Sequence, residues 1–137
     1  MKLLVVKLHA LGDLVIATPA FRRLREGLPE AEIHLLTTDW AAPAVEANPR
    51  FDNQMVVPHQ WFFKPHIQDG VSLIRLLLKL RKLTFDAAVI FHAHALIIKF
   101  IRFTRISRCY SFAQSNSDHT VYLDEARHSA LTAWELA

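Results

Sequence analysis

The chain has 137 residues, 52% of them apolar and 21% charged, with a formal charge of +3. This balance suits one globular domain with a sizeable core and excludes a disordered chain, and the positive excess falls far short of a dedicated nucleic-acid binder, fitting instead an anionic small ligand or an anionic membrane surface. No apolar run reaches the roughly 18 to 20 residues of a membrane span, the N-terminal apolar stretch is too short for a signal peptide, and Cys109 is the only cysteine, so a cytoplasmic, reducing compartment is expected.

In chain order, Leu3-Leu4-Val5-Val6 is a continuous apolar run with β-branched members, which predicts a strand buried on both faces. A polar turn, Leu8 to Gly12, leads into a helical pattern from about Asp13 to Gly27, with a kink or a helix start expected near Pro19. Ile33 to Thr37 reads as a second strand. Asp39 is placed to cap a short helix running to about Ala47, which Asn48-Pro49 stops. Gln54 to Val57 is a third strand, and Pro58 to Gln68 an irregular aromatic loop holding Trp61, Phe62 and Phe63. The next helix spans about Asp69 to Leu83, with Ser72, Arg75, Lys79 and Lys82 expected wet and Val71, Ile74, Leu77 and Leu78 expected dry. Ala87 to Phe91 is a fourth strand and His94 to about Thr104 a further helix. A fifth strand falls within Arg105 to Phe112 and a sixth near Thr120 to Leu123, and the end from Glu125 reads as helix.

Buried strands alternating with amphipathic helices predict an α/β fold, a Rossmann-like three-layer sandwich with a mostly parallel sheet, in one domain covering 1–137. In such a sheet ligands bind beyond the carboxyl ends of the strands. Those ends carry Lys7 to Gly12, Thr37 to Trp40, Pro58 to Lys64 and His92 to His94. The first strand-to-helix turn, Lys7-Leu8-His9-Ala10-Leu11-Gly12-Asp13, has neither the dinucleotide-binding G-x-G-x-x-G pattern nor a phosphate loop, and the whole chain holds three glycines. A phosphate at this turn would also meet the Asp13 carboxylate.

Asp13 has two readings. As a capping residue it would satisfy helix N–H groups, worth about 1 kcal/mol. As a carboxylate aimed into the cleft it would be a general base. A phospho-acceptor switch fits poorly, because Asp86 precedes the fourth strand and no acidic pair accompanies Asp13.

Leu4-Val5-Val6-Lys7, then Leu11-Gly12-Asp13-Leu14-Val15, Ala17-Thr18-Pro19-Ala20 and Leu24-Arg25, resemble the opening of the heptosyltransferases, the family-nine glycosyltransferases of Gram-negative outer-membrane synthesis. The likeness continues in Pro29-Glu30-Ala31-Glu32-Ile33, Asn48-Pro49, Phe85-Asp86 leading to Val89-Ile90, and Arg127-His128. Segment 91–96 departs from it, lacking the small polar and glycine residues found there in the family. The resemblance implies the N-terminal, acceptor-binding half of a two-domain GT-B enzyme, with the nucleotide-sugar donor held by a C-terminal domain absent from this chain, so that the fragment alone is expected to be inactive. Asp13 takes the place of the family's base. The implied reaction is inverting transfer of heptose or a related sugar to an anionic lipid A core. Lys7, His9, Gly12, His59 and Lys64 are the expected acceptor contacts. No metal or cofactor is implied, and His92 with His94 is read as polar lining. The basic apolar stretch Leu96 to Phe103, with Arg105, is either a buried helix with one wet edge or a contact with the cytoplasmic face of the inner membrane. The competing reading is a stand-alone Rossmann-like module that binds an anionic glycolipid or a protein partner without catalysis.

Overall fold

The computed structural model describes residues 1–8, 11–64, 66–91, 95–112 and 119–121. The strands are β1 (Lys2–Val6), β2 (Glu32–Thr38), β3 (Asn53–Val57), β4 (Ala87–Ile90), β5 (Arg108–Phe112) and β6 (His119–Val121). The helices are α1 (Leu11–Ile16), α2 (Thr18–Gly27), α3 (Gln60–Phe63), α4 (Asp69–Leu83) and α5 (Ala95–Arg102). The six strands form one sheet in the order β3-β2-β1-β4-β5-β6, and every pairing is parallel. The α/β Rossmann-like sandwich expected from the sequence is therefore what forms.

The continuous apolar runs have a direct cause. Alternate residues of a strand face opposite sides of a sheet, and here both sides are covered. Leu3, Val5, Ile33, Leu35 and Val89 pack with Phe21 and Leu24 of α2 on one face. Leu4, Val6, Leu36, Ala88 and Ile90 pack with Leu76 and Leu80 of α4 and with Ile97, Ile98 and Ile101 of α5 on the other. Phe21 meets Phe51 and Phe91 edge to face, at centroid distances of 5.1 and 5.4 Å. Each such pair contributes about 0.5–1.5 kcal/mol beyond burial.

The helix start expected near Pro19 is found, and two local expectations are corrected. The pattern from Asp13 to Gly27 is two helices, broken at Ala17, because α2 starts afresh with Pro19 in its first turn, where the missing N–H is no loss. Asp39 caps no helix: the segment after it holds only a 3₁₀ turn, Ala42–Ala44, and the Asp39 carboxylate bonds elsewhere. The aromatic loop after β3 contains the one-turn helix α3.

The third correction concerns α4. Its bounds are as expected, but its dry stripe is not. Leu76 and Leu80 are buried with Leu73 and Leu77 beside them, whereas Val71, Ile74 and Leu78 face solvent with Arg75, Lys79 and Lys82. The helix is leucine-rich on most of its circumference, so two apolar stripes compete and the sheet selects one. On α5, Leu96, Lys99, Arg102 and Phe103 just beyond it are also exposed. Arg81 of α4 donates from Nε and Nη2 to the Phe103 carbonyl at 3.0 and 2.7 Å, tying the ends of the two helices together. Among the described residues no helix is long and apolar enough to cross a membrane.

Candidate functional site

At its carboxyl end β1 runs out between its two neighbours. Lys7 N–H donates to the Leu36 carbonyl at 3.0 Å and Phe91 N–H donates to the Val6 carbonyl at 2.9 Å. Lys7 thus stands one residue beyond the Val6–Leu36 pair, level with Thr37 on β2, and both side chains belong to the face that α1 and α2 cover. Lys7 Nζ donates to the Phe91 carbonyl at 3.4 Å. Burial pushes the Lys7 ammonium below the ordinary lysine range, while the charge of Asp13 acts against that shift. The Thr37 hydroxyl is fully buried and has no hydrogen-bond partner among the described residues.

α1 supplies the carboxylate. Leu14 is its buried anchor, and the Ala17 that follows it is buried too. Anchoring at these positions leaves Asp13 half-buried at the rim. α1 begins two residues before Asp13, so Asp13 is not the residue flanking the helix, and among the described residues neither a hydrogen bond nor an ion pair engages its carboxylate. The capping reading therefore lacks its hydrogen bond. Gly12 is exposed beside it, and a Cβ there would meet no described residue within 4 Å.

The next two strand ends bring together residues that sequence reasoning kept apart. Thr38 pairs with Val57, so the residues that follow, 39–40 and 58–59, leave the sheet side by side. Asp39 Oδ1 accepts from Trp40 N–H at 3.0 Å and from His59 N–H at 3.0 Å, and lies 3.2 Å from His59 Nδ1. Partial desolvation pushes the Asp39 carboxyl up, but these donors outweigh it and hold its pKa below the usual aspartate range. The Trp40 indole stacks on the His59 ring at 3.9 Å and 23°. His59 is thus a half-exposed member of a fixed cluster, and Asp39 and Trp40 are functional candidates that local sequence reading missed. The parallel register of β2 and β3 was the signal that could have found them.

Lys64 closes α3 and is exposed in the loop after β3. His9, His92 and His94 lie outside the described residues. Among the described residues no group of three His, Cys, Asp or Glu side chains could hold a metal ion. A cavity of about 270 Å³ opens at the other end of the strands, lined by residues including Leu3, Leu24, Val89, Arg108 and Tyr110. None of its described lining residues is a carboxylate. The rim at the carboxyl ends, with a half-exposed Asp13, a desolvated Lys7 and an exposed Gly12, has a carboxylate placed where it could take a proton from an alcohol.

No protein-family model matches the chain, and no curated protein is significantly similar to it. Solved structures are similar to it in fold. The family 9 glycosyl transferase from Veillonella parvula DSM 2008 superimposes with a TM-score of 0.82 at 20% identity, over 98% of this chain and 39% of that one. The E. coli ADP-heptose lps heptosyltransferase II gives 0.80 at 17% identity, over 99% of this chain and 40% of the other. The E. coli heptosyltransferase WaaC with ADP-2-deoxy-2-fluoro heptose gives 0.76 at 14% identity, over 99% and 47%. The chain thus spans less than half the length of each of these proteins while sharing their fold almost end to end.

Proposed function

We propose that this chain is the acceptor-binding half of an inverting glycosyltransferase that moves heptose or a related sugar from a nucleotide-sugar donor to a lipopolysaccharide-core acceptor. The observation that carries the reading is Asp13, a half-exposed carboxylate with no hydrogen bond to a described residue, at the mouth of a parallel sheet whose fold is that of heptosyltransferases. A donor-binding half would be a second domain that residues 1–137 do not include. Without it the chain is expected to be inactive.

In the reaction, Asp13 takes the proton of an acceptor hydroxyl as that oxygen bonds to the anomeric carbon. The bond from that carbon to the diphosphate breaks, the diphosphate leaves with the electron pair, and configuration inverts. Lys7, Gly12, His59 and Lys64, with His9, are the candidate acceptor contacts. The lysines suit the phosphates and acidic sugars of such a glycolipid. No metal or cofactor enters the scheme.

The acceptor would lie in a membrane, and the outer faces of α4 and α5 fit an anionic one at the cytoplasmic side of the inner membrane. Val71, Ile74, Leu78, Leu96 and Phe103 are exposed there among Arg75, Lys79, Lys82, Lys99 and Arg102. Apolar insertion and attraction to anionic headgroups then act together. Replacing Val71 and Ile74 together by Ser should release the chain from vesicles containing phosphatidylglycerol. Equal failure of the unaltered chain to sediment with anionic and neutral vesicles would remove the membrane from the reading.

The test of the base uses the complete two-domain protein. Asp13→Asn should lower kcat by roughly 10²- to 10⁴-fold while acceptor affinity persists. Transfer near the wild-type rate would take Asp13 out of the mechanism.

A further inference from the structure

The cluster at the ends of β2 and β3 is not used by the proton transfer. Trp40 is 66% exposed, a large apolar ring left in water. It is nonetheless held in place. His59 stacks against it at 3.9 Å, and one oxygen, Asp39 Oδ1, fixes both partners through the backbone N–H groups of Trp40 and His59 and through His59 Nδ1. With one face of the indole against the imidazole, its large exposure belongs to the remaining face and edge. An aromatic side chain oriented by a polar network and open to solvent presents a preorganised face on which a ligand ring can stack.

The polar atoms beside the ring narrow the ligand. Asp39 Oδ2 accepts none of the three bonds, so it remains an acceptor for a hydroxyl. With Nδ1 committed to Asp39, His59 retains Nε2 as a second polar contact. A carboxylate at this spot repels phosphates and acidic sugars. It therefore sorts differently from Lys7 and Lys64, which favour anions. The cluster is also next to the base. Lys7 N–H bonds to Leu36 of β2, and α1 packs on the Ala42–Ala44 turn that follows Trp40.

We infer that Trp40, held by His59 and Asp39, is a stacking subsite for an uncharged pyranose ring, the C–H face of the sugar lying on the open indole face and a ring hydroxyl donating to Asp39 Oδ2. This rests on the acceptor reading above and adds to it that the acceptor is gripped through a neutral sugar as well as through its anionic groups. The subsite fixes which hydroxyl of the acceptor reaches Asp13.

The experiment measures binding of two probes to the 137-residue chain by calorimetry: a deacylated lipopolysaccharide core oligosaccharide and neutral maltotetraose. Trp40→Ala should weaken the core oligosaccharide roughly three- to tenfold, the range of one aromatic contact. Trp40→Phe should restore most of that loss, and Asp39→Asn should weaken binding with the ring still present. Because Trp40 is exposed, the thermal unfolding midpoint of each Trp40 variant should stay that of the parent, which separates lost binding from lost folding. Core-oligosaccharide binding unchanged by Trp40→Ala overturns the subsite and leaves the acceptor reading standing. Trp40-dependent binding of maltotetraose with none of the core oligosaccharide upholds the subsite and sinks the acceptor class. Failure of the parent chain to bind either probe overturns the subsite.

Discussion

The amino ends of the strands and the rim around the carboxyl end of β1 treat their charges in opposite ways. At the amino ends of the strands charges are paired. Lys2 N–H donates to Asp86 Oδ2 at 2.6 Å, Lys2 Nζ lies 3.4 Å from Glu32, and Glu32 Oε1 lies 2.7 Å from His34 Nε2. Arg25 donates to the carbonyls of Pro29, Ala31 and Arg50 and to Asp52 Oδ2 at 2.6 Å, while Asp52 Oδ2 also accepts from Ile33 N–H at 2.7 Å. At the rim around the end of β1 the Asp13 carboxylate and the Thr37 hydroxyl have no such partner among the described residues, and the Lys7 ammonium is desolvated. Saturated polar groups hold a fold together. Unsaturated ones cost stability and remain available to a ligand.

Substitutions at the two ends should therefore fail in different currencies. The largest effect is the fall in turnover expected for Asp13→Asn, and the contrast adds that its unfolding free energy should move by no more than about 0.5 kcal/mol. A large loss of stability there would break the comparison. Next, Arg25→Ala should cost about 2 kcal/mol in urea titrations, because it strips donors from three carbonyls and a carboxylate at once. Acceptor binding by the fraction that remains folded should be unchanged.

Asp52→Asn should cost less, about 1 kcal/mol at neutral pH, since Asp52 is partly exposed. Hydrogen bonds from Ile33 N–H and then Arg25 hold the Asp52 carboxyl below its ordinary range. Its contribution is therefore full above the unfolded-chain value of about 3.9 and lost as pH falls through the lower native value. Stability curves of parent and variant should converge on acidification, and parallel curves would show that the carboxylate charge is not what matters.

The smallest effect has the opposite sign. Native Lys7 gives up its proton more readily than the unfolded chain does, so stability rises with pH between the lowered native value and the ordinary one near about 10.4. Lys7→Met should raise neutral-pH stability by about 0.5–1 kcal/mol, with the gain shrinking across that window. A destabilised Lys7→Met would move Lys7 to the structural side of the comparison.

What the sequence made legible follows from how local each cause is. Strands buried on both faces announce themselves as apolar runs, and the break before α2 was written in Pro19. Asp13 and Lys7 could be placed on one rim because a strand end and the helix after it are contiguous in the chain. Asp39 was misread because capping is a local rule, whereas its carboxylate answers to His59, twenty residues on. Trp40 was passed over for the same reason: its partner arrives with a different strand. On α4 the hydrophobic periodicity was real but double, and only the sheet's position decides which stripe is buried.

The place of β1 in the strand order has a consequence for the chain's birth. β1 is made early and ends up in the middle, with Leu3 against Ile33 on one side and Ala87 on the other. A ribosome that has released only the first three strands holds a half-built sheet whose apolar flank is a raw edge, open to wrong partners until the polypeptide around Ala87 emerges. Acquisition of the native sheet is then gated by long-range closure, and its folding should be slow.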